Sequence, residues 1–334
     1  MKFHNKCRRM DVMQTESGKR IALLSVSLVL SACGGGGGGG GTVPPGTSIV
    51  PTAFTKWSDV VPGVTYRADG LGQEITGTTS GGEFVAIAPS GVTDGYSAYL
   101  TFDQALELSR LELTTPAPTL VALDKTAAET TFADVTLSPG TSAQFVSARN
   151  PSPDPTSVAI MAKPINLRWD YQTFGIWETG RDSPTSRKFG AMSVGNTAGT
   201  AIPGTGSATF TGYTAGSYVN SAGTGTTVFA DLTVGATFGT QTLIFNTNNT
   251  QTSSDWVTFT PNSDLNLSGT LTYAAGTNSF TGSLVTSHTN PIDRLTGNST
   301  GQFYGPNAEE LGGVFLLRGS GPVETYAGAY GAKR

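Results

Sequence analysis

The sequence predicts an all-β protein, with a small, mostly β domain followed by an antiparallel meander that closes into a barrel. Three observations carry that expectation. Gly is abundant at 44 of 334 residues and only 13% of residues are charged. Leu-rich helical periodicity is scarce, and the Thr-, Ser- and Gly-rich remainder suits strands and turns. Short runs of alternating aromatic, β-branched and small residues recur at close spacing, which argues for a meander. Glycines also recur inside those runs, at Gly212, Gly269, Gly282 and Gly328, where a closing sheet must bend.

Residues 1–33 precede the fold. Lys19-Arg20 leads into the apolar run "IALLSVSLVL" at 21–30 and then "LSAC" at 30–33. A basic start, a short apolar core and a small-residue cleavage site make a secretory signal, and the apolar run is too short for a membrane-spanning helix. Leu-Ser-Ala-Cys resembles a bacterial lipobox, so Cys33 is the expected lipid attachment residue, with cleavage after Ala32. The stretch before Met13 adds nothing that a signal needs.

That cut changes the charge. The leader carries six of the 20 Lys/Arg and two of the 24 Asp/Glu, leaving 14 basic and 22 acidic residues and a net charge of −8. A basic patch for nucleic acid or an anionic membrane surface is therefore not expected. Cys33 and His288 become the sole cysteine and histidine. No disulfide can form within the chain, and Cys/His zinc sites of the usual spacing are excluded.

Residues 34–47 begin with an unbroken glycine run and end in a Pro-rich stretch, a tether whose ordering entropy no burial offsets. Residues 48–165 form the expected first domain. Its strands are "GEFVAIA" (82–88), "YSAYLTF" (96–102), "LSRLELT" (108–114), "FADVTL" (132–137) and "SVAIMA" (157–162). "DQALEL" (103–108) reads as one short helical piece, and "NPSPDP" (150–155) as an exposed loop.

Residues 166–334 form the expected barrel. "NLRWDYQTFGIWETG" (166–180) is its first strand, with Trp169, Tyr171, Thr173, Gly175 and Trp177 on one face. Closure is the surest way for such a meander to hide its edges. "TYAGAYGAKR" (325–334) supplies the last strand.

Candidate chemistry is sparse. Glu309 and Glu310 are adjacent carboxylates. Pro306 before them and Gly312-Gly313 after them read as the start and stop of a helical turn. Neighbours on a helix diverge by about 100°, so the two acids do not converge on one bond. "DLNLSG" at 264–269 opens like a calcium loop but has Ala275 where a glutamate is needed. No G-x-S-x-G, H-E-x-x-H or P-loop is present. The loop "WETGRDSPTSRKF" (177–189) gathers Trp177, Arg181, Arg187 and Lys188, residue types that often dominate protein interfaces. A solvated hairpin is the competing reading of that loop.

"GQFYGPNAEELGGVF" (301–315) followed by "YAGAYGAKR" (326–334) resembles the end of the β-barrel domain of transferrin-binding protein B and related surface lipoproteins of the Slam-dependent type. "YQTFGIWETG" is similar to that barrel's opening strand. The resemblance implies an eight-stranded antiparallel barrel after a handle domain, on a lipid-anchored, surface-exposed protein of a Gram-negative outer membrane. It implies a non-enzymatic receptor that captures a host protein or a source of iron or haem. Such a protein would take a transferrin-, haemoglobin- or complement-factor-like partner, and a TonB-dependent receptor would work beside it. An adhesin or immune-evasion lipoprotein that binds a host regulator is the alternative. No cofactor or metal is expected. Some relatives bind haem, which makes His288 an alternative axial ligand against the reading of a solvated loop histidine. A barrel of this size is filled by its own side chains, so function is expected on loops and on the handle surface.

Overall fold

The computed structural model describes residues 51–334, apart from 117–118, 128–129, 138–141, 151–156 and 182, and Ser48–Arg334 form one compact unit. Cys33, the signal and the tether, and nearly all of "NPSPDP", lie outside the described residues.

Two sheets make up this unit. The first contains β1 (Thr52–Ala53), β2 (Thr65–Ser80), β3 (Glu83–Pro89), β4 (Thr93–Phe102), β5 (Leu108–Thr114) and β6 (Leu120–Asp124). It continues with β7 (Thr131–Val135), β8 (Phe145–Asn150), β9 (Ser157–Ala162), β10 (Gln172–Thr179) and β11 (Ser186–Gly195). Its order is β6-β5-β4-β2-β11-β10-β9-β8-β7, with β1 and β3 also paired to β2. The sheet curls around an apolar core that includes Trp57, Leu100, Leu111, Met161, Trp177 and Met192. The buried Lys163 ammonium pairs with Glu107 at 2.5 Å and Asp134 at 2.7 Å, tying the β4–β5 turn to edge strand β7.

The second sheet contains β12 (Ser207–Val219), β13 (Gly225–Thr237), β14 (Thr242–Ser253), β15 (Thr260–Pro261) and β16 (Leu267–Tyr273). It ends with β17 (Ser279–Thr286), β18 (Thr296–Tyr304), β19 (Glu310–Arg318) and β20 (Thr325–Lys333). β15 is a short strap on β14. The other eight close into an antiparallel barrel, because β20 pairs with β12 and β13 pairs with β14. Alternation sets the inside. Along β14, Leu243, Phe245 and Thr247 are buried while Ile244 and Asn246 are exposed, as a period of two requires. The lumen is packed with rings, among them Phe210, Phe245, Phe280, Phe303, Phe315 and Tyr330.

Eight antiparallel strands after a curled β sheet are the predicted fold class, but the barrel starts later than expected. Residues 172–195 are strands of the first sheet. β10 pairs with β9 and β11, and β11 pairs with β2. β10 is buried on both faces over most of its length. Trp177 faces the first sheet's own core, while Phe174 and Ile176 face the barrel wall together with Ala191, Ala215, Val314 and Ala329. A strand covered on both sides belongs in the middle of a sheet. The barrel, closed by β13 against β14, has no edge left for it. Two smaller readings also change. "DQALEL" is a turn, with Leu106 at φ 59° and the Asp103 carboxylate accepting from the backbone of Ala105 and Glu107. Trp169 and Tyr171 precede β10 and do not share its face.

Candidate functional site

The strand pairings give the unit two ends. At the entry end, residues 51–57 approach the first sheet. There the Trp57 indole N–H donates to the Gln172 carbonyl at 2.8 Å, and the Trp57 backbone N–H donates to Asp170 O at 2.8 Å. The β18–β19 turn lies at this end too, since the Gly305 N–H donates to Asn196 O at 3.0 Å. The loop end carries the β10–β11 hairpin, the β2–β3 tip and barrel loops 220–224, 254–259, 287–295 and 319–324.

The adjacent carboxylates are at the entry end and do not act together. The segment between β18 and β19 is a tight turn and not a helical one, with Gly305 at φ 82° and Ala308 at φ 57°. Glu309 is partly buried, which raises its pKa, but hydrogen bonds from the Asn307 side chain and backbone hold it below the ordinary value. Glu310 begins β19 and is wholly buried. Its carboxylate accepts from the backbone N–H groups of Asp170, Tyr171 and Gln172 at 2.6, 3.0 and 3.1 Å. Burial pushes its pKa up to about 7, against the pull of those N–H groups and of Lys333 at 3.8 Å. Lys333 also donates to Arg168 O at 2.6 Å and to the Asp170 carboxylate at 2.9 Å. Glu310 and Lys333 thus clamp residues 168–172, the linker into β10, onto the end of the barrel. Both lie within the sequence segments that carry the family resemblance. Charge alone marked Glu310, but its N–H partners lie some 140 residues away in sequence and no local pattern announces them.

The four residues gathered in 177–189 do not form one exposed patch. Trp177 is 2% exposed in the core of the first sheet. Arg187 and Lys188 belong to β11. Lys188 pairs with Glu74 at 3.1 Å and donates to Thr119. Arg187 turns onto the Phe84 ring at 5.6 Å, and Arg181 lies over the Trp256 ring at 5.9 Å. Strand alternation and a two-sided sheet explain the difference, because the run continues into β11 where a loop was expected. His288 follows β17 and is half-buried. Its Nδ1 accepts from the Asn290 N–H at 3.1 Å, and its Nε2 is 3.7 Å from the Asp264 carboxylate. Asp264 itself begins no calcium loop. It sits in a short 3₁₀ turn before β16. Among the described residues, no cluster of His, Cys, Asp and Glu is arranged to hold a metal ion.

The loop end carries the two most exposed large apolar side chains of the described residues, Val257 at 81% and Ile292 at 76%, with Val85 of β3 at 53%. Isolated exposed apolar residues are ordinary. Three at one end of the unit are less so. The 254–259 loop is rigidly built. Asp255 accepts from the N–H groups of Val257 and Thr258, Ser253 accepts from Trp256 N–H, and the Trp256 indole donates to Thr227. Val257 is therefore presented on a braced turn.

Residues 202–334 match the family model described as C-lobe and N-lobe beta barrels of Tf-binding protein B. The span covers the whole barrel and agrees with the resemblance read from 301–334. Among solved structures, the chain is similar to a variant of the transferrin binding protein B vaccine antigen of Haemophilus parasuis, at 12% identity and a TM-score of 0.39 over 84% of this chain and 77% of that one. It is similar to isotype 1 transferrin binding protein B of Neisseria meningitidis, at 15% identity and a TM-score of 0.36 over 73% of this chain and 53% of that one. It is also similar to a protein described as a surface lipoprotein, at 13% identity and a TM-score of 0.39 over 78% of this chain and 98% of that one. No curated protein matches the chain.

Proposed function

We propose, from the premise that residues 202–334 are a barrel of the Tf-binding protein B family, that the chain is a surface lipoprotein acting as a non-enzymatic receptor for a host protein. The observation that carries this reading is the loop end. A barrel filled by its own rings offers no interior site, so recognition falls to what the strands display. The display is apolar and braced, at Val257, Ile292 and Val85. Large-area protein contact needs a desolvated apolar centre more than it needs charge.

The same reading orients the molecule. Cys33 would carry the lipid, and the 17 residues from 34 to 50 span at most about 60 Å when extended. Residues 51–57 join the body at the entry end, opposite the loops, so a body held by that tether would present its loop end away from the membrane. A transferrin-, haemoglobin- or complement-factor-like protein fits this geometry equally, and haem delivered through His288 would be a different use of the same loops.

A serum and haemoglobin pull-down with residues 48–334 tests the proposal, alongside Val257→Asp and Ile292→Asp together. Recovery of a host protein by the parent, weakened in the double variant at unchanged melting temperature, is expected. Equal recovery by both would move the interface off the loop end. Stoichiometric haem uptake lost on His288→Ala would replace the protein-receptor reading.

A further inference from the structure

A polar cleft opens at the loop end, where the first sheet meets the barrel. It has a volume of about 130 Å³ and is walled by Phe84, Glu178, Arg181 and Arg187 from the first sheet and by Ser217 and Ser254 from the barrel. Two contacts hold its walls together. The Phe84 N–H donates to Gly223 O at 2.9 Å, and an Arg318 guanidinium N–H donates to Ile87 O at 3.1 Å. Both contacts fix how β3 seats on the barrel beside the cleft.

Its charge is not balanced by close bonds. Two guanidinium groups share the single Glu178 carboxylate, each at 3.7 Å, beyond hydrogen-bond reach. The Arg187 Nε–H is buried and has no hydrogen-bond partner. A guanidinium carries five donors in a planar fork that fits a carboxylate's two oxygens. Here one guanidinium lies over the Phe84 ring at 5.6 Å and the other at 5.9 Å over Trp256, which also has Arg149 over its ring at 5.2 Å. Burial raises the Glu178 pKa more than the two arginines lower it, and at 3.7 Å its oxygens leave the donors of both guanidinium groups unbonded by it.

We infer that this cleft is a binding site for an organic carboxylate, whose oxygens take the guanidinium donors of Arg187 and Arg181 that Glu178 leaves unbonded. Phe84 offers an apolar wall for the body of the acid, and the Ser217 and Ser254 hydroxyls can donate to its second oxygen. A crevice with convergent polar groups where two packed sheets meet is a common place for a small ligand to bind. The same chemistry could arrive on a free acid or on the glutamate side chain of a bound protein. This inference goes beyond the receptor reading and does not require it.

The test uses the full chain in calorimetric titrations with benzoate and with a blocked glutamate, each against its neutral amide. Benzoate or the blocked glutamate should bind at least about tenfold more tightly than its amide, and Arg187→Gln should remove that margin. The stronger of the two acids identifies the source, free aromatic acid or side chain. Should Arg187→Gln fail to fold, the more exposed Arg181→Gln reads the same margin. Equal affinity for acid and amide, or an undiminished margin in a folded variant, would overturn the inference. Because no partner protein enters the titration, that failure would leave the receptor proposal standing.

Discussion

Removing the Glu310 carboxylate tests the clamp between the barrel end and the linker into β10. Glu310→Ala leaves three backbone N–H groups without their acceptor, those of Asp170, Tyr171 and Gln172. A buried donor left unpaired costs about 1–3 kcal/mol, and the half-buried Asp170 and Tyr171 can recover water, so a loss of about 3–5 kcal/mol is expected. Glu310→Gln keeps one oxygen but points an amide N–H at a backbone N–H, for a loss of about 1–2 kcal/mol. The pH dependence separates this role from mere packing. Glu310 is raised from an ordinary 4.5 to about 7 in the folded state, so between those values the folded chain holds a proton that the unfolded chain releases. Stability from this group is fully present below about pH 4.5 and is lost as pH rises through about 7. Urea unfolding from pH 4.5 to 8 should show the parent losing stability relative to Glu310→Gln by up to about 3 kcal/mol. A parent-minus-variant difference that stays flat, or rises with pH, would refute the buried-acid assignment.

Three further outcomes follow from the same geometry. Deleting residues 324–334 removes β20, unpairs β12 and β19 at once, and should abolish cooperative unfolding and cause aggregation; a truncated chain that melts like the parent would refute closure. Trp177→Ala should destabilise by about 3–5 kcal/mol through a core cavity, read by thermal melting, and any partner recovered by the folded variant should bind unchanged. Cells expressing the chain should incorporate labelled fatty acid at Cys33, and equal labelling of Cys33→Ala would remove the anchor.

The barrel was legible because its evidence is local. Alternation in "LNLSGTLTY" and "NSFTGSLVT" marks strands whose partners are the next strands along the chain, as β16 and β17 prove. In the first sheet, strands β3, β4, β5, β7 and β9 were legible, but their topology was not, for the opposite reason. Its central strand β2 pairs with β11, more than a hundred residues later, and with β4. Its neighbour β10 shows the same aromatic alternation as a barrel strand, since burial on two faces by two different bodies leaves no distinctive pattern. The same ambiguity hid Trp177 and Arg187. A run of Trp, Arg and Lys between two strands reads as a display loop, yet only residues 180–185 separate β10 from β11. Glu310 was visible as an acid in a family motif, while its function as an acceptor needed the linker's N–H groups brought across the fold.

Five of the residues that carry the family resemblance cluster toward one end of the barrel. Gly305 and Glu310 sit at the entry end, as does Lys333, and Gly312 and Gly331 lie nearby, where an added Cβ would meet the Ser193 hydroxyl and the Gln172 amide. Each one permits or enforces the close seating of the barrel's outer wall on β10 and β11. Gln73, donating to Phe315 O at 2.5 Å, extends that seam toward the middle of the molecule. Loops 220–224, 254–259, 287–295 and 319–324 lie at the far ends of the strands from Gly305, Glu310 and Lys333. The seam sets how the two sheets meet without constraining loop chemistry, so one architecture can display different surfaces. In this chain the loop end displays Val257 and Ile292, and the arginine-walled cleft opens at that same end of the unit.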